Sequence, residues 1–155
     1  MKIGLLTGVV FVLLVGLTFA QKDYSYLDNE KGTSMEPILA AAKPLVEEIE
    51  DGGYEIVRME YDLVFDEKST FRKLYDGWTY GIAAFGDYRI KDIDVTVYRE
   101  SRGRWEMVEE DAENDDVATV SIKPQRDEEY KIVISVYKFN PGYSVGHYGL
   151  MIFHE

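Results

Sequence analysis

The alternation of side-chain types from Asp92 to Tyr98 constrains this chain more than any other feature of its sequence. Ile93, Val95 and Val97 occupy every second position, and polar or aromatic side chains lie between them. Successive side chains of a β-strand point to opposite faces, so this pattern predicts a strand with one buried face and one solvated face.

The same period of two recurs along most of the chain after residue 54. It covers 54–66, 78–84, 117–123, 130–136 and the last segment up to residue 153, and turn-forming residues such as Asp76-Gly77 separate these segments. The sequence therefore predicts an all-β fold, a two-layer antiparallel β-sandwich of jelly-roll type with about eight strands. In the first segment the predicted inner set is Val57, Met59, Tyr61, Leu63 and Phe65.

One N-terminal helix is predicted over residues 33–52. Its apolar residues fall at helical spacing from Ile38 to Ile49, and Gly52-Gly53 ends it. We expect this helix to cover one edge or end of the sandwich.

The N-terminus indicates export. Lys2 precedes an uncharged apolar run that ends with the small residues Thr18 and Ala20, which is typical of a secretory signal peptide over 1–20. The alternative is an uncleaved anchor, because the run approaches the roughly 20 residues that span a bilayer. Residues 21–32 are predicted to be a flexible leader and 33–155 a single domain. The expected location is periplasmic or extracellular, with no membrane span after cleavage.

The charge balance excludes several partners. The chain has 29 acidic and 17 basic residues, a net charge of −12, and no cysteine. Such a protein repels nucleic acid and anionic lipid and attracts cations. Without disulfides, an exported domain depends on its apolar core for stability.

Five segments, taken in their order and spacing, carry a resemblance to a known family. They are Gly77-Trp78-Thr79-Tyr80, Asp92–Tyr98, Asp115-Asp116 before Val117–Ser121, Glu129–Ile134 and Tyr148–Ile152. Over about 71–153 the sequence resembles the bacterial pre-peptidase C-terminal domain, a small β-sandwich attached to secreted proteases and other exported proteins. Glu129 stands where the family has glycine, and the helix and the 54–66 segment lie outside the likeness. The resemblance implies the sandwich fold.

Acidic residues predict a calcium site. Asp92 and Asp94 share a strand face with Cα atoms about 6.6–6.8 Å apart, and the loop 109–116 adds Asp115 and Asp116. Calcium prefers six to eight oxygen ligands, and some members of the resembling family bind it. The loop does not match an EF-hand. The preferred interpretation is nevertheless a solvated acidic loop that keeps the protein soluble, with calcium as the alternative.

Aromatic residues provide the second candidate site. Tyr98, Trp105, Tyr137 and Tyr143 are predicted to be exposed platforms that stack on sugar rings or dock a protein partner. The preferred interpretation is nevertheless that they are cross-strand pairs on a solvated face, with binding platforms as the alternative. Met59, Tyr61, Phe65, Trp78, Tyr80 and Tyr130 are expected in the core.

Catalysis is not predicted. Gly142-Tyr143-Ser144-Val145-Gly146 matches the Gly-x-Ser-x-Gly elbow of serine hydrolases, but that chemistry needs a tight strand-to-helix turn. A glycine-rich hairpin loop is the preferred interpretation, and His147 and His154 are expected to be solvated or edge residues. The leading hypothesis is an exported, non-enzymatic binding or structural accessory module with an unknown protein or polysaccharide partner. The alternative is a carbohydrate- or matrix-binding module with a structural calcium.

Overall fold

The computed structural model describes residues 34–155, so the predicted signal peptide and leader lie outside the described residues. The elements are α1 (Glu36–Asp51), β1 (Glu55–Val64), β2 (Glu67–Leu74), β3 (Tyr80–Gly86), β4 (Ile90–Ser101), β5 (Arg104–Asp111), β6 (Val117–Ile122), β7 (Glu128–Phe139) and β8 (Gly146–His154). Helix α1 is too short to cross a membrane, and it is the only α-helix among these residues.

The strands form two four-stranded antiparallel sheets. The first sheet has the order β1-β8-β3-β6 and the second sheet has the order β2-β7-β4-β5. Apart from the β4–β5 hairpin, every connection between consecutive strands passes from one sheet to the other, which is jelly-roll connectivity. At the hairpin turn, Arg102 and Gly103 have φ values of 54° and 76°, as a two-residue type I′ turn requires. The predicted fold class is therefore confirmed.

The core between the sheets is built from the alternation seen in the sequence. Ile93, Val95 and Val97 of β4 are fully buried, as are Ile132 and Ile134 of β7. These two strands are neighbours in the centre of the second sheet. The strand that organised the sequence analysis thus lies at the centre of the sandwich.

Helix α1 lies on the outer face of the first sheet. Its buried residues Ile38, Ala42 and Ile49 form a second apolar cluster with Phe85 of β3 and Met151 of β8. The helix therefore covers a face of a sheet, whereas the sequence suggested an edge or an end.

The inner set predicted for β1 is wrong. Val57, Met59 and Leu63 are 47%, 36% and 37% exposed, and Phe65, after the strand, is 66% exposed. Val64 is the β1 residue in the core between the sheets. Strand β1 is an edge strand on which Met59, Tyr61 and Leu63 face the helix side and solvent. The predicted alternation is present, but its two faces were assigned in reverse.

The glycine-rich hairpin loop predicted at 142–146 is also wrong, because β7 and β8 belong to different sheets. The segment is a loop that carries the chain across the sandwich. Tyr80 and Tyr130 are in the core as expected, while Trp78 is 45% exposed.

Candidate functional site

An aromatic cluster lies on the outer face of the second sheet. Phe71 on the edge strand β2 and Trp105 on the opposite edge strand β5 have ring centroids 5.5 Å apart and planes inclined at 52°. Three strand spacings separate these edges by roughly 14 Å. The two side chains therefore lean toward each other over the central strands.

The cluster continues from edge to edge of the sheet. Phe71 is the cross-strand partner of Lys131, Lys131 is the partner of Tyr98, and Tyr98 is the partner of Met107. The Lys131 Nζ atom lies 5.7 Å from the centroid of the Tyr98 ring. We call these four residues together with Trp105 the aromatic face.

The aromatic face leaves apolar area in solvent. Met107 is 58% exposed, Phe71 47% and Trp105 39%. Contiguous exposed apolar patches on a soluble domain mark interaction surfaces more often than isolated apolar residues do. The aromatic face is accordingly the leading candidate for a binding surface.

The structure separates the four aromatic residues predicted as platforms. Tyr98 and Trp105 lie on the aromatic face. Tyr137 is 78% exposed, but it is six residues beyond Lys131 on β7, about 20 Å away along the strand. Tyr143 lies in the β7–β8 loop, where its ring meets Tyr88 at 5.6 Å and 89°. Sequence reasoning missed Phe71, Met107 and Lys131, because only strand pairing places them beside Trp105.

The predicted calcium ligands come from two segments that the structure brings together. The Ile93 amide, between Asp92 and Asp94, donates to the backbone carbonyl of Asp115 at 3.0 Å, and the Gly86 amide donates to that of Asp116 at 3.0 Å. Asp92 is buried, Asp94 is half-buried, and Asp115 and Asp116 are exposed. The pairing of β4 with β7 is irregular around Asp92, which disturbs the regular strand geometry behind the expected carboxylate spacing.

The environment of Asp94 is strongly negative. Burial raises the pKa of Asp94, and the charges of Asp92, Glu110 and Asp111 raise it further. These carboxylates favour a cation nearby, and the calcium site remains a prediction. Among residues 34–155, no group of three or more His, Cys, Asp or Glu side chains has the arrangement of a metal site.

Part of the acidic loop has a structural role. The Asp111 carboxylate accepts hydrogen bonds from the Glu113 amide at 3.1 Å and from the Thr119 amide at 2.8 Å. Asp115 Oδ1 accepts one from the Val117 amide at 3.2 Å. These bonds connect the end of β5 to β6, so the loop is anchored as well as solvated.

A buried polar cluster that the sequence analysis missed lies at one end of the sandwich. Asp87, Arg89 and His147 are 1%, 3% and 5% exposed. The Asp87 carboxylate accepts hydrogen bonds from Arg89 Nε at 3.0 Å and from the amides of Arg89 and His147 at 3.0 and 3.2 Å. Arg89 Nη2 also contacts His147 Nδ1 at 2.5 Å. The cluster joins the β3–β4 turn to the start of β8.

The surroundings of Asp87 keep its carboxylate charged. Burial alone would raise the pKa of Asp87, but hydrogen bonds from Arg89 and its positive charge outweigh burial and place this pKa below its ordinary value of 3.8. A guanidinium only donates, so His147 Nδ1 is the acceptor in its contact with Arg89. The expectation that His147 is a solvated or edge residue is therefore wrong.

The Gly-x-Ser-x-Gly match falls in the inter-sheet loop before β8. Ser144 lies between two strands, without the helix that follows the nucleophile in a serine-hydrolase elbow. His147, the nearer histidine in sequence, already uses Nδ1 to accept from Arg89. His154 stacks on Trp78 with ring centroids 4.1 Å apart.

Comparison with known proteins describes the fold. No family model and no curated protein matches this chain. Similar solved structures include the pre-peptidase C-terminal domain of collagenase from Bacillus anthracis, with 11% identity and a TM-score of 0.49 over 61% of this chain and 87% of that chain. PliG from Aeromonas hydrophila, a periplasmic inhibitor of g-type lysozyme, has 11% identity and a TM-score of 0.41 over 66% and 86%. A CBM4 structure has 15% identity and a TM-score of 0.41 over 66% and 79%.

The family that the sequence motifs resemble is thus also represented among the similar structures. At 11% identity the likeness extends to the fold alone.

Proposed function

We propose that this protein is an exported, non-enzymatic binding module and that the aromatic face is the surface it uses. The observation that carries the proposal is the contact of Phe71 with Trp105, whose strands lie at opposite edges of the second sheet. Two large apolar side chains remain 47% and 39% exposed there. Aromatic residues and methionine are enriched at the centres of protein interfaces, and tryptophan is frequent among residues that dominate binding energy.

A non-enzymatic role is supported by how the chemically reactive groups are used. His147 accepts from Arg89, Asp87 accepts from Arg89 and from two amides, and Ser144 lies in a loop between sheets. His147, the histidine nearest to the serine-hydrolase motif, therefore already has a structural partner. A hydrolase screen that found turnover abolished by Ser144→Ala would contradict the proposal.

A carbohydrate or matrix polymer is the narrower candidate ligand. Sugars present C–H faces to aromatic rings and hydroxyls to charged neighbours. The aromatic face offers the Trp105 and Phe71 rings beside the Lys131 ammonium and Tyr98. A structural calcium held by Asp92, Asp94, Asp115 and Asp116 is part of the same proposal.

The test compares Trp105→Ala with Tyr143→Ala. Both variants remove an exposed aromatic ring, but only the first changes the aromatic face. We expect retention on insoluble polysaccharides, or on a partner captured from the extracellular fraction, to fall at least tenfold for Trp105→Ala, about 1.4 kcal/mol or more. Tyr143→Ala is expected to bind like the unsubstituted chain. Equal retention of both variants would refute the assignment of the surface.

A further inference from the structure

A cavity opens between the edges of the two sheets, where β1 of the first sheet faces β2 of the second. Its volume is about 350 Å³, within the range of small-molecule sites. Arg58, Arg72 and Lys73 line it together with Tyr75, Trp78 and His154. This edge cavity shares no lining residue with the aromatic face. Arg72 leaves β2 on the side opposite to Phe71, whereas Lys73 leaves it on the same side as Phe71.

The edge cavity has excess positive charge. Glu60 accepts hydrogen bonds from Arg58 and from Arg72, the latter through Nε at 3.0 Å, so one carboxylate serves two guanidinium groups. Burial raises the pKa of Glu60, but the hydrogen bonds and charges of Arg72 and Arg58 lower it more. Glu60 is therefore ionised at neutral pH and balances only one of the two arginines.

Lys73 adds a further cation at the mouth of the edge cavity. Its Nζ atom lies 5.2 Å from the centroid of the Tyr75 ring. Two guanidinium groups that share one carboxylate, with Lys73 also in the lining, contrast with a chain whose net charge is −12. Excess cations in a concave, partly apolar site attract an anion, and guanidinium groups match a carboxylate in geometry.

The rest of the edge cavity is apolar and aromatic. Trp78 is 45% exposed, and its ring stacks on His154 at 4.1 Å and 41°. His154 in turn meets the edge of Tyr80 at 5.8 Å and 86°. The indole is thus supported from one side and open on the other, and buried Leu74 and Ile152 complete the cavity.

We propose that the edge cavity binds a small organic anion in which a carboxylate is attached to a flat apolar body. The carboxylate is held by Lys73 and by the guanidinium groups that Glu60 leaves incompletely neutralised, and the apolar body lies against Trp78. Both a free acid and the C-terminus of a peptide that ends in an aromatic residue have this chemistry. The proposal is independent of any ligand on the aromatic face.

The test uses tryptophan fluorescence of the full chain with the substitution Trp105→Phe. The protein has two tryptophans, so Trp78 becomes the only reporter and lies in the edge cavity. The probes are 3-phenylpropionate, its neutral amide, and the tripeptide Gly-Gly-Phe with a free or an amidated C-terminus. We expect saturable quenching of Trp78 fluorescence by 3-phenylpropionate. The affinity for the neutral amide is expected to be at least tenfold lower, and added salt is expected to lower the affinity for the acid.

The two peptides distinguish the sources of the carboxylate. Tighter binding of free Gly-Gly-Phe than of 3-phenylpropionate indicates a peptide terminus, and the reverse order indicates a free acid. Either order supports the site, provided that the amidated peptide binds at least tenfold more weakly than the free one.

Charge-removing variants assign the interaction to the edge cavity. Lys73→Gln and Arg58→Gln are each expected to lower the affinity for 3-phenylpropionate several-fold. The matched control Lys91→Gln removes an exposed charge at the start of β4 and is expected to leave the affinity unchanged. Arg72 is left in place because it connects Glu60 to β2.

Three results would overturn the proposal. The first is equal affinity for 3-phenylpropionate and its amide. The second is equal affinity for 3-phenylpropionate in Lys73→Gln, Arg58→Gln and the control Lys91→Gln. The third is quenching that does not saturate up to 10 mM 3-phenylpropionate, a concentration that corresponds to roughly 2.7 kcal/mol of binding free energy. The assay reports on the edge cavity, because Trp78 is the only tryptophan left and lines that cavity.

Discussion

Replacement of Asp87 with alanine would remove a buried carboxylate that pairs with the Arg89 guanidinium. The Asp87 carboxylate accepts from the Arg89 side chain and from the amides of Arg89 and His147. All three residues are at least nine-tenths buried. The substitution therefore removes one buried negative charge and the acceptor of three hydrogen bonds at the end of the sandwich.

The expected cost is large. Removal of one partner from a buried ion pair destabilises proteins by about 3–5 kcal/mol, because an uncompensated charge stays in the interior. A cost of this size is a substantial part of the 5–15 kcal/mol that usually stabilises a domain. By contrast, Glu47→Ala disrupts the exposed Lys43–Glu47 pair, for which we expect less than about 0.5 kcal/mol.

Urea denaturation followed by circular dichroism at pH 7 measures both variants. Adding Arg89→Met to Asp87→Ala also removes the buried positive charge, so the double variant is expected to be more stable than Asp87→Ala by at least about 1 kcal/mol. The folded-state pKa of Asp87 is depressed, so its contribution is present above pH 3.8 and disappears as the pH falls through that depressed value. A cost of less than about 1 kcal/mol for Asp87→Ala would refute the reasoning.

Three further predictions concern other parts of the sandwich. A Cβ atom at Gly149 would lie 2.1 Å from the Phe85 ring; Gly149→Ala is therefore expected to cost roughly 1–3 kcal/mol in urea denaturation, and Phe85→Leu to recover part of it. Burial, then the hydrogen bond to Glu128, raises the pKa of Tyr130 to about 12, so absorbance titration is expected to find one tyrosine ionising late. The difference in free energy of unfolding between the unsubstituted protein and Tyr130→Phe is then expected to decrease from pH 10 to 12, because Tyr130 loses its proton at lower pH in the unfolded chain than in the folded one. Millimolar calcium is expected to raise the melting temperature, and an unchanged melting temperature would exclude the calcium site.

Strand β1 shows where sequence patterns are insufficient. Its alternation predicts a strand, but the pattern is the same whichever face is buried. The decisive contacts come from distant segments, since α1 lies over the outer face of the first sheet and Arg72 of β2 binds Glu60 between the sheets. The face with Met59 and Leu63 was therefore assigned to the core although both are exposed.

The candidate sites were predictable to different extents. Trp105 and Tyr98 could be named from their positions in alternating segments, because alternation predicts which side chains leave the core. Their neighbours Phe71 and Lys131 could not, since the register of β2 and β7 brings them together. Asp92 and Asp115 were named as one group, and the hydrogen bond from Ile93 to Asp115 brings their segments into contact.

The sequence by itself determined the strand-rich architecture, because side-chain period is a local property that every strand carries along its own length. It also determined the acidic charge and the absence of disulfides. Only the tertiary structure decided which face of β1 is buried, that Asp87, Arg89 and His147 share one interior site, and that two cavity walls come from different sheets. Those features depend on contacts between residues far apart in sequence, and their geometry exists only after the two sheets have packed together.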